Sequence, residues 1–313
     1  MRKCILIGGG GFIGSHLAKS LELDRSREII IIGRSAKPKF SIPETSSYIT
    51  LDSLSEDKLK GILCDAEEIV DLSSSHTPGG SIEMPLDVMS DTLKSNLRFI
   101  NLINSNKLEK YIFISSGGTI YGNTKDKLTS EISETNPISP YGVAKLLVEK
   151  FGHLNYALKN LPFISVRPSN PFGVGQRGNL GQGFIAAAIH MAIHKSPVPI
   201  YGSPGTIRDY IYIDDLVGGI IAVLNLGHVG KTYNIGTGNG VNNMDILSII
   251  EDEISSLRPI QIKPLPIRNF DVASNVLDCS LIHKDTGWQP KISLRSGILK
   301  TWAWQMKLAE LNK

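Results

Sequence analysis

The sequence predicts a doubly wound α/β protein, and three observations carry that prediction. Short β-branched runs alternate with helix-like segments, the runs hold few polar positions, and a glycine cluster separates the first run from the first helix. Strands apolar on both sides and separated by helices form a parallel sheet covered on both faces. In order, CILI (4–7) precedes a helix over 15–23, EIIII (28–32) a polar stretch, and YITL (48–51) a helix over 55–63. EIVDL (68–72) leads into 87–105, YIFIS (111–115) into 141–160, and FISV (163–166) closes the series. Beyond Arg167, Gly and Pro recur through SNPFGVGQRGNLGQG, SPVPIYGSPG and RPIQIKPLPIR, the punctuation of a smaller, loop-rich region. The expected division is a first domain over 1–167 and a second over 168–313, with the segment near 211–236 the part that can return to the first.

Composition narrows the class. A chain of 313 residues, 41% hydrophobic, has enough apolar side chains for a core and is neither disordered nor fibrous. Lys and Arg number 33 against 30 Asp and Glu, so the net charge of +3 argues against a nucleic-acid-binding face. Cys4, Cys64 and Cys279 are an odd number without CxxC or Cys/His spacing, which supports neither a disulfide framework nor a zinc site. The apolar run at the N-terminus stops at glycines, short of a leader, and no stretch approaches the roughly 20 residues that cross a bilayer. A soluble protein of the reducing cytoplasm is expected. His190 and His194 stand four apart with no third ligand nearby, so no metal site is expected. Trp302 and Trp304 are expected to pack rather than to form a sugar platform.

GGGGFIGSHLAKSL follows the first strand and opens a helix, with Gly8, Gly11 and Gly14 at three-residue spacing and Phe12 and Ile13 between the last two. Gly8 permits a tight turn, Gly11 lets a pyrophosphate approach the backbone, and Gly14 lets helix and strand pack closely. The helix N-terminus then faces phosphate charge, the arrangement of a Rossmann-type dinucleotide site. An NAD site usually has an Asp or Glu about 20 residues on, at the end of the second strand. Here that strand ends in Gly33-Arg34. The carboxylate is missing and Arg34 is placed either to face a 2′-phosphate, as in NADP, or to cover the adenine or lie in water. This one site leans toward NADP, and from these residues the choice between NAD and NADP stays open.

SPYGVAK places Tyr141 and Lys145 four apart at a helix start, on one face, with Pro140 suited to the first turn. A nearby ammonium and an oxidised nicotinamide favour the phenolate, which would make Tyr141 a proton acceptor. Val143, Leu147, Phe151 and Leu154 form an apolar stripe on the same helix, so one face should bury.

With GGGGFIGSHL, KYIFISSGGTIYG, NPISPYGVAK, VRPSNPFG, TIRDYIYIDDL, YNIGTGNG and GWQP in this order, the chain resembles the extended short-chain dehydrogenase/reductase family. It is most similar to that family's UDP-glucose 4-epimerase-like enzymes, the NAD-dependent epimerases and dehydratases, over nearly its whole length. The resemblance implies that Gly8, Gly11, Phe12, Ile13 and Gly14 hold the cofactor, that Asp52 is the acid near the adenine, and that Tyr141 and Lys145 form the catalytic pair. It assigns Asn170, Arg208 and Arg268 to the substrate diphosphate, where guanidiniums present forked donors to phosphate oxygens. It also implies a homodimer, through a four-helix contact built from the helix of Tyr141 and the one around 91–105.

Three positions depart from the family pattern. The Ser or Thr expected four residues before Tyr121 is Gly117, leaving Ser116 or Thr119, and more distantly Ser115, to supply the hydroxyl; the expectation falls on Ser116 and Thr119. The asparagine expected after the fourth strand corresponds to Thr92, and Gly33 lacks the acid. The implied activity is 4-epimerisation of a nucleotide diphosphate sugar, with a UDP-hexose as the expected substrate. The alternatives are an NADPH-dependent 4-ketoreductase of a 4-keto-6-deoxy nucleotide sugar and a non-catalytic dinucleotide-binding protein.

Overall fold

The computed structural model describes residues 1–311 except 75–77, 104–105, 125, 179–182, 255–258 and 269–270. Its strands are β1 (Arg2–Ile7), β2 (Arg27–Gly33), β3 (Ser47–Thr50), β4 (Glu68–Asp71), β5 (Lys110–Ile114), β6 (Phe163–Pro168), β7 (Asn170–Phe172), β8 (Val198–Tyr201), β9 (Ile207–Tyr212), β10 (Thr232–Ile235), β11 (Gly240–Asn242), β12 (Ile262–Leu265) and β13 (Ser274–Asn275). The helices that position the site are α1 (Phe12–Asp24), α2 (Glu56–Cys64), α3 (Pro85–Thr92), α4 (Arg98–Leu102), α5 (Gly117–Ile120), α6 (Pro140–Lys159), α7 (Phe184–Ile193) and α8 (Ile213–Leu226).

Seven parallel strands form one sheet in the order β10-β6-β5-β4-β1-β2-β3. The chain runs outward from β1 to β3, then restarts at β4 on the other side. The strand order therefore reverses between β1 and β4, where an open α/β sheet leaves a crevice beyond its carboxyl ends. β10 pairs with β6, and α8 packs beside α1, so residues beyond Arg167 complete the first sheet. The remaining strands form two small sheets: β9 with β7, β11 and β13, and β8 with β12.

The strands read as apolar because they are covered on both faces. β6 is buried throughout, as is β4, whose sequence EIVD nevertheless brings two carboxylates inside. Both are satisfied, as burial requires. Arg27 forks onto Glu68, Nε to Oε2 at 2.6 Å and Nη2 to Oε1 at 3.0 Å. Asp71 accepts from Tyr111 Oη and Asn96 Nδ2, each at 2.9 Å.

The α6 stripe corrects an expectation. Val143, Leu147 and Leu154 are exposed and Phe151 is only partly buried, while Ala144, Val148, Gly152 and Asn155 face inward. Gly152 lies directly against the Phe163 ring, so the close approach of that face to β6 sets the rotation of the helix. Trp302 packs against the core. Among the described residues no helix is long and apolar enough to cross a membrane.

Candidate active site

The glycine turn after β1 fits a diphosphate. Gly8 has φ +76°, and a Cβ there would press on the Leu72 and Ser73 backbone at 3.0 Å. A Cβ on Gly14 would come within 2.7 Å of Gly9 O, so only glycine lets α1 start this close to the turn. Gly11 is the N-cap of α1, and no side chain caps it, leaving the first-turn NH groups for a ligand. Phe12 packs edge-on to His16 and Ile13 lies against the core, so both support the turn.

A cleft of about 350 Å³ opens beside this turn, lined by Gly8, Gly10, Gly11, Gly33, Arg34, Leu51, Ser73, Ser74 and Ser95 among others. A turn that needs glycine at Gly8 and Gly14, followed by an uncapped helix N-terminus at the point where strand order reverses, fits a dinucleotide. Asp52 does not line the cleft: it is exposed on the turn after β3, and its neighbour Leu51 faces the cleft instead.

Ser73, Ser74 and Ser95 also line a second, smaller pocket together with Tyr141, Lys145, Asn96 and Thr92. Tyr141 and Lys145 come from the first turns of α6. Ser139 caps that helix by accepting from Gly142 N at 3.2 Å, and Pro140 occupies the first turn. Lys145 Nζ donates to Ile114 O at 2.9 Å and Ser73 O at 3.3 Å, and lies 5.9 Å from the Tyr141 ring centre.

Burial pushes the Lys145 ammonium down to about 8, against the attraction of Asp71 and Glu149. Burial also pushes the Tyr141 phenol up to about 12, opposed by a hydrogen bond with the Ser74 side chain. The Lys145 ammonium is engaged by the Ile114 and Ser73 carbonyls.

Asn96 is the site residue that sequence reasoning missed. Residues Leu93–Leu97 form a π-helical turn between α3 and α4. This turn aims Asn96 Nδ2 at Asp71 Oδ2 and, at 2.8 Å, at Ser73 Oγ. Thr92, the position matched by sequence, lines the same pocket one turn earlier.

After β5, α5 carries Ser116 through Thr119. Ser116 is its N-cap and makes no capping bond through its side chain, while the hydroxyls of Ser115 and Thr119 are buried without a hydrogen-bond partner. Gly117 cannot carry the missing hydroxyl. A Cβ there would lie 2.6 Å from Leu277 Cδ1, 2.9 Å from Pro168 O and 3.0 Å from Arg167 O. Gly118 opens toward Asn170, whose Oδ1 would be 3.6 Å from a Cβ and whose Nδ2 donates to Asp209 O at 3.2 Å.

Arg208 and Arg268 lie close enough to repel each other, with Asp271 between them. Arg268 Nε donates to Asp271 Oδ2 at 2.7 Å, and its guanidinium stacks 4.0 Å over Tyr201. Burial holds Arg208 below the usual arginine range. Asp209, fully buried next to it, gathers Thr237 N and Oγ1, Gly238 N and Leu277 N.

The His190 and His194 rings lie 4.1 Å apart between centres and tilted by 39°, with burial and His194 both lowering the His190 pKa. Among the described residues no cluster of His, Cys, Asp and Glu has the makings of a metal site.

Sheet order, glycine cradle and the pocket holding Tyr141 and Lys145 define a Rossmann-type dinucleotide-binding protein. The model of the NAD dependent epimerase/dehydratase family matches residues 4–236, and the chain belongs to that family. A dTDP-4-dehydro-6-deoxyglucose reductase of Escherichia coli is 30% identical over 95% of this chain and 95% of the relative. A putative UDP-glucose 4-epimerase of Methanocaldococcus jannaschii is 28% identical over 96% and 97%. Among solved structures, the Thermus thermophilus UDP-glucose 4-epimerase in complex with NAD superposes with a TM-score of 0.87 at 25% identity, covering 96% of this chain and 98% of that one.

Proposed function

We propose that the protein moves hydride at C4 of a nucleotide diphosphate sugar, with Tyr141 as the proton-transferring residue. The observation that carries this is the continuity of the glycine cradle with the pocket of Tyr141 and Lys145 through Ser73, Ser74 and Ser95. When bound, the nicotinamide supplies the acceptor and donor of hydride. As the C4 hydrogen leaves as hydride, Tyr141 takes the O4 proton and a carbonyl forms; on return, Tyr141 gives the proton back to the keto oxygen. With an oxidised cofactor bound, Tyr141 would give up its proton more readily than in the protein alone, which the oxidising direction needs. Lys145 orients the cofactor ribose, Thr119 or Ser116 bonds the sugar oxygen, and Asn170, Arg208 and Arg268 hold the diphosphate.

Carried out on both faces of the sugar, this chemistry is a 4-epimerisation, with a UDP-hexose as the substrate supported by the epimerases among the relatives. A second reading, 4-ketoreduction of a 4-keto-6-deoxy nucleotide sugar, is favoured by Gly117, which carries no hydroxyl, and by the dTDP-4-dehydro-6-deoxyglucose reductase among the relatives. Incubation with UDP-glucose, UDP-N-acetylglucosamine and a 4-keto-6-deoxy nucleotide sugar separates them. An epimerase inverts C4 without net use of cofactor, whereas a reductase consumes one reduced cofactor per product. No turnover of any of them would remove the proposal in favour of a non-catalytic dinucleotide binder.

We also propose a homodimer through the exposed face of α3, the π-helical turn after it and α6, where Leu86, Leu93, Val143, Leu147 and Leu154 are left uncovered. Sedimentation at micromolar concentration tests it, and Leu147→Glu should yield monomers.

A further inference from the structure

We propose that Asp71 is a positioning residue of this site, whose buried carboxylate fixes the carbonyl that receives Lys145 and keeps that amine in its ammonium form. It rests on the reading that Tyr141 and Lys145 stand at the reacting centre, and it concerns a residue that lines neither pocket.

Asp71 is the last residue of β4, at the carboxyl end of the sheet, and it is fully buried. A carboxylate at this depth is costly and persists only when its oxygens are bonded. Four donors reach it. Oδ1 accepts from Ser73 N at 2.9 Å and from Ser73 Oγ, and Oδ2 accepts from Asn96 Nδ2 and Tyr111 Oη at 2.9 Å each. All four are neutral groups, so the network holds the negative charge in place without cancelling it.

The compensating charge is that of Lys145. Ser73 lies between the two, its NH donating to Asp71 and its carbonyl accepting from Lys145 Nζ at 3.3 Å. The amine's other bond, to Ile114 O at 2.9 Å, and the Phe113 ring centre 4.7 Å away place Nζ at the end of β5. In the β4–β5 pair Phe113 is the register partner of Asp71. Carboxylate and ammonium thus form a charge pair bridged by one residue of backbone. Without the carboxylate, the turn after β4 loses two of the bonds that aim the Ser73 carbonyl.

The other titratable groups around Lys145 are placed differently. Glu149 is one turn along α6, but Arg167 of β6 already engages it, Nη2 to Oε2 at 2.6 Å and Nε to both oxygens at 3.0 and 3.2 Å. Tyr111 of β5 and Tyr141 of α6 are the neighbouring phenols, and burial pushes both up. Burial pushes Lys145 down to about 8, and of the two carboxylates that oppose this, Asp71 acts more strongly than Glu149. The charge matters to the chemistry because an ammonium favours the phenolate of a neighbouring tyrosine and a neutral amine does not.

The test is the titration of Lys145 in the full-length protein freed of nucleotide, followed by carbon NMR of lysine labelled at Cε, with Lys145→Met to assign the signal. Asp71→Asn should lower the titration point by at least about one pH unit, since it removes an opposite charge from a dry site. The amide fits the network because the Asn96 side chain and the Tyr111 hydroxyl can each turn to accept. Asp71→Ser is a second neutral variant and should act in the same direction. Tyr111→Phe disturbs the same network but keeps the carboxylate, and should lower the point by less than about 0.3 pH unit. In single turnovers with bound cofactor, the loss of rate on the alkaline side should move to lower pH in Asp71→Asn by the same interval as Lys145, which a merely structural role would not produce.

A Lys145 unmoved in both neutral variants, an equal displacement in Tyr111→Phe, or a rate profile that stays put while Lys145 moves would overturn the proposal and leave the role of Tyr141 intact. A displaced Lys145 together with no turnover of any nucleotide sugar by the unaltered protein would overturn the functional reading, and leave Asp71 as the group that holds this charge.

Discussion

The seven-stranded sheet and the small sheets beyond it are organised by different forces. In the first, position is fixed by apolar burial on both sides of each strand, and the catalytic candidates stand on α5 and α6, whose places are set by packing on that sheet. In the second, short strands meet around single buried polar groups. Asp209 gathers two backbone NH groups of the Thr237–Gly238 turn, a hydroxyl and the NH of Leu277, and Asn275 Nδ2 donates to Gly117 O across to the first sheet. A periodic frame tolerates exchange of one apolar side chain for another, whereas a polar hub has no near equivalent.

The sharpest way to separate the two regions is to remove chemistry from one without disturbing its frame. Tyr141→Phe should lower kcat by about 10³-fold, within the range for loss of a positioned acid or base, while cofactor affinity and thermal stability stay as they were. Single-turnover rates with bound cofactor measure this directly. If the variant kept a tenth or more of its activity, the proton would have to travel through another group, and the unpartnered Thr119 hydroxyl would be the next to test.

In the small sheets the corresponding substitution should act on stability instead. Asp209→Ala strands several donors inside the protein and should cost about 3–5 kcal/mol, read as a fall in the denaturant midpoint. A cost below about 1 kcal/mol would show that the Thr237 turn is held by something other than this carboxylate and would break the contrast.

How much was legible in the chain follows the same division. Six strands and the α1 and α6 helices could be read because burial on both faces leaves an unmistakable apolar pattern, and the glycine turn because strained φ and close packing allow one residue type. Arg27, at the edge of an apolar run, gave no sign that it would be buried against Glu68, since that pairing joins residues 41 apart. Asn96 carried no local mark of its role, since its bond to Asp71 joins residues 25 apart in the chain. Gly117 stood out as a departure, but its reason lies in Leu277, brought in by a fold contact no local pattern encodes. The α6 stripe was visible and its orientation was not, because periodicity shows that a helix has a face without saying what that face meets.

Gly117→Ser tests the seam between the two regions. Its Cβ would be too close to Leu277 Cδ1 and to two carbonyl oxygens, so the substitution should cost about 1–3 kcal/mol through overpacking. Adding Leu277→Ala relieves only the side-chain contact and should not restore full stability, since the Pro168 and Arg167 carbonyls remain. Full recovery in the double variant would mean that Leu277 alone excludes a hydroxyl here.

The smallest effect concerns a charge that the apolar frame holds at a cost. Lys145 is buried and its pKa is lowered to about 8, so the unfolded chain binds that proton more tightly than the folded one. Below pH 8 the folded protein carries the full cost of the buried charge. As pH rises from about 8 toward the unfolded value the native state sheds the proton, and this contribution to stability improves. Lys145→Met removes the charge but also the donor to Ile114 O and Ser73 O, so the net gain in unfolding free energy at pH 7 should be about 1 kcal/mol. That gain should shrink between pH 8 and 10, as the unaltered protein comes to hold a neutral amine. Urea denaturation of both proteins at pH 7 and pH 9.5 measures it. A variant less stable than the unaltered protein at pH 7 would mean that the two carbonyl bonds outweigh the cost of burying the ammonium, and that the frame gains stability from a residue it holds for chemistry.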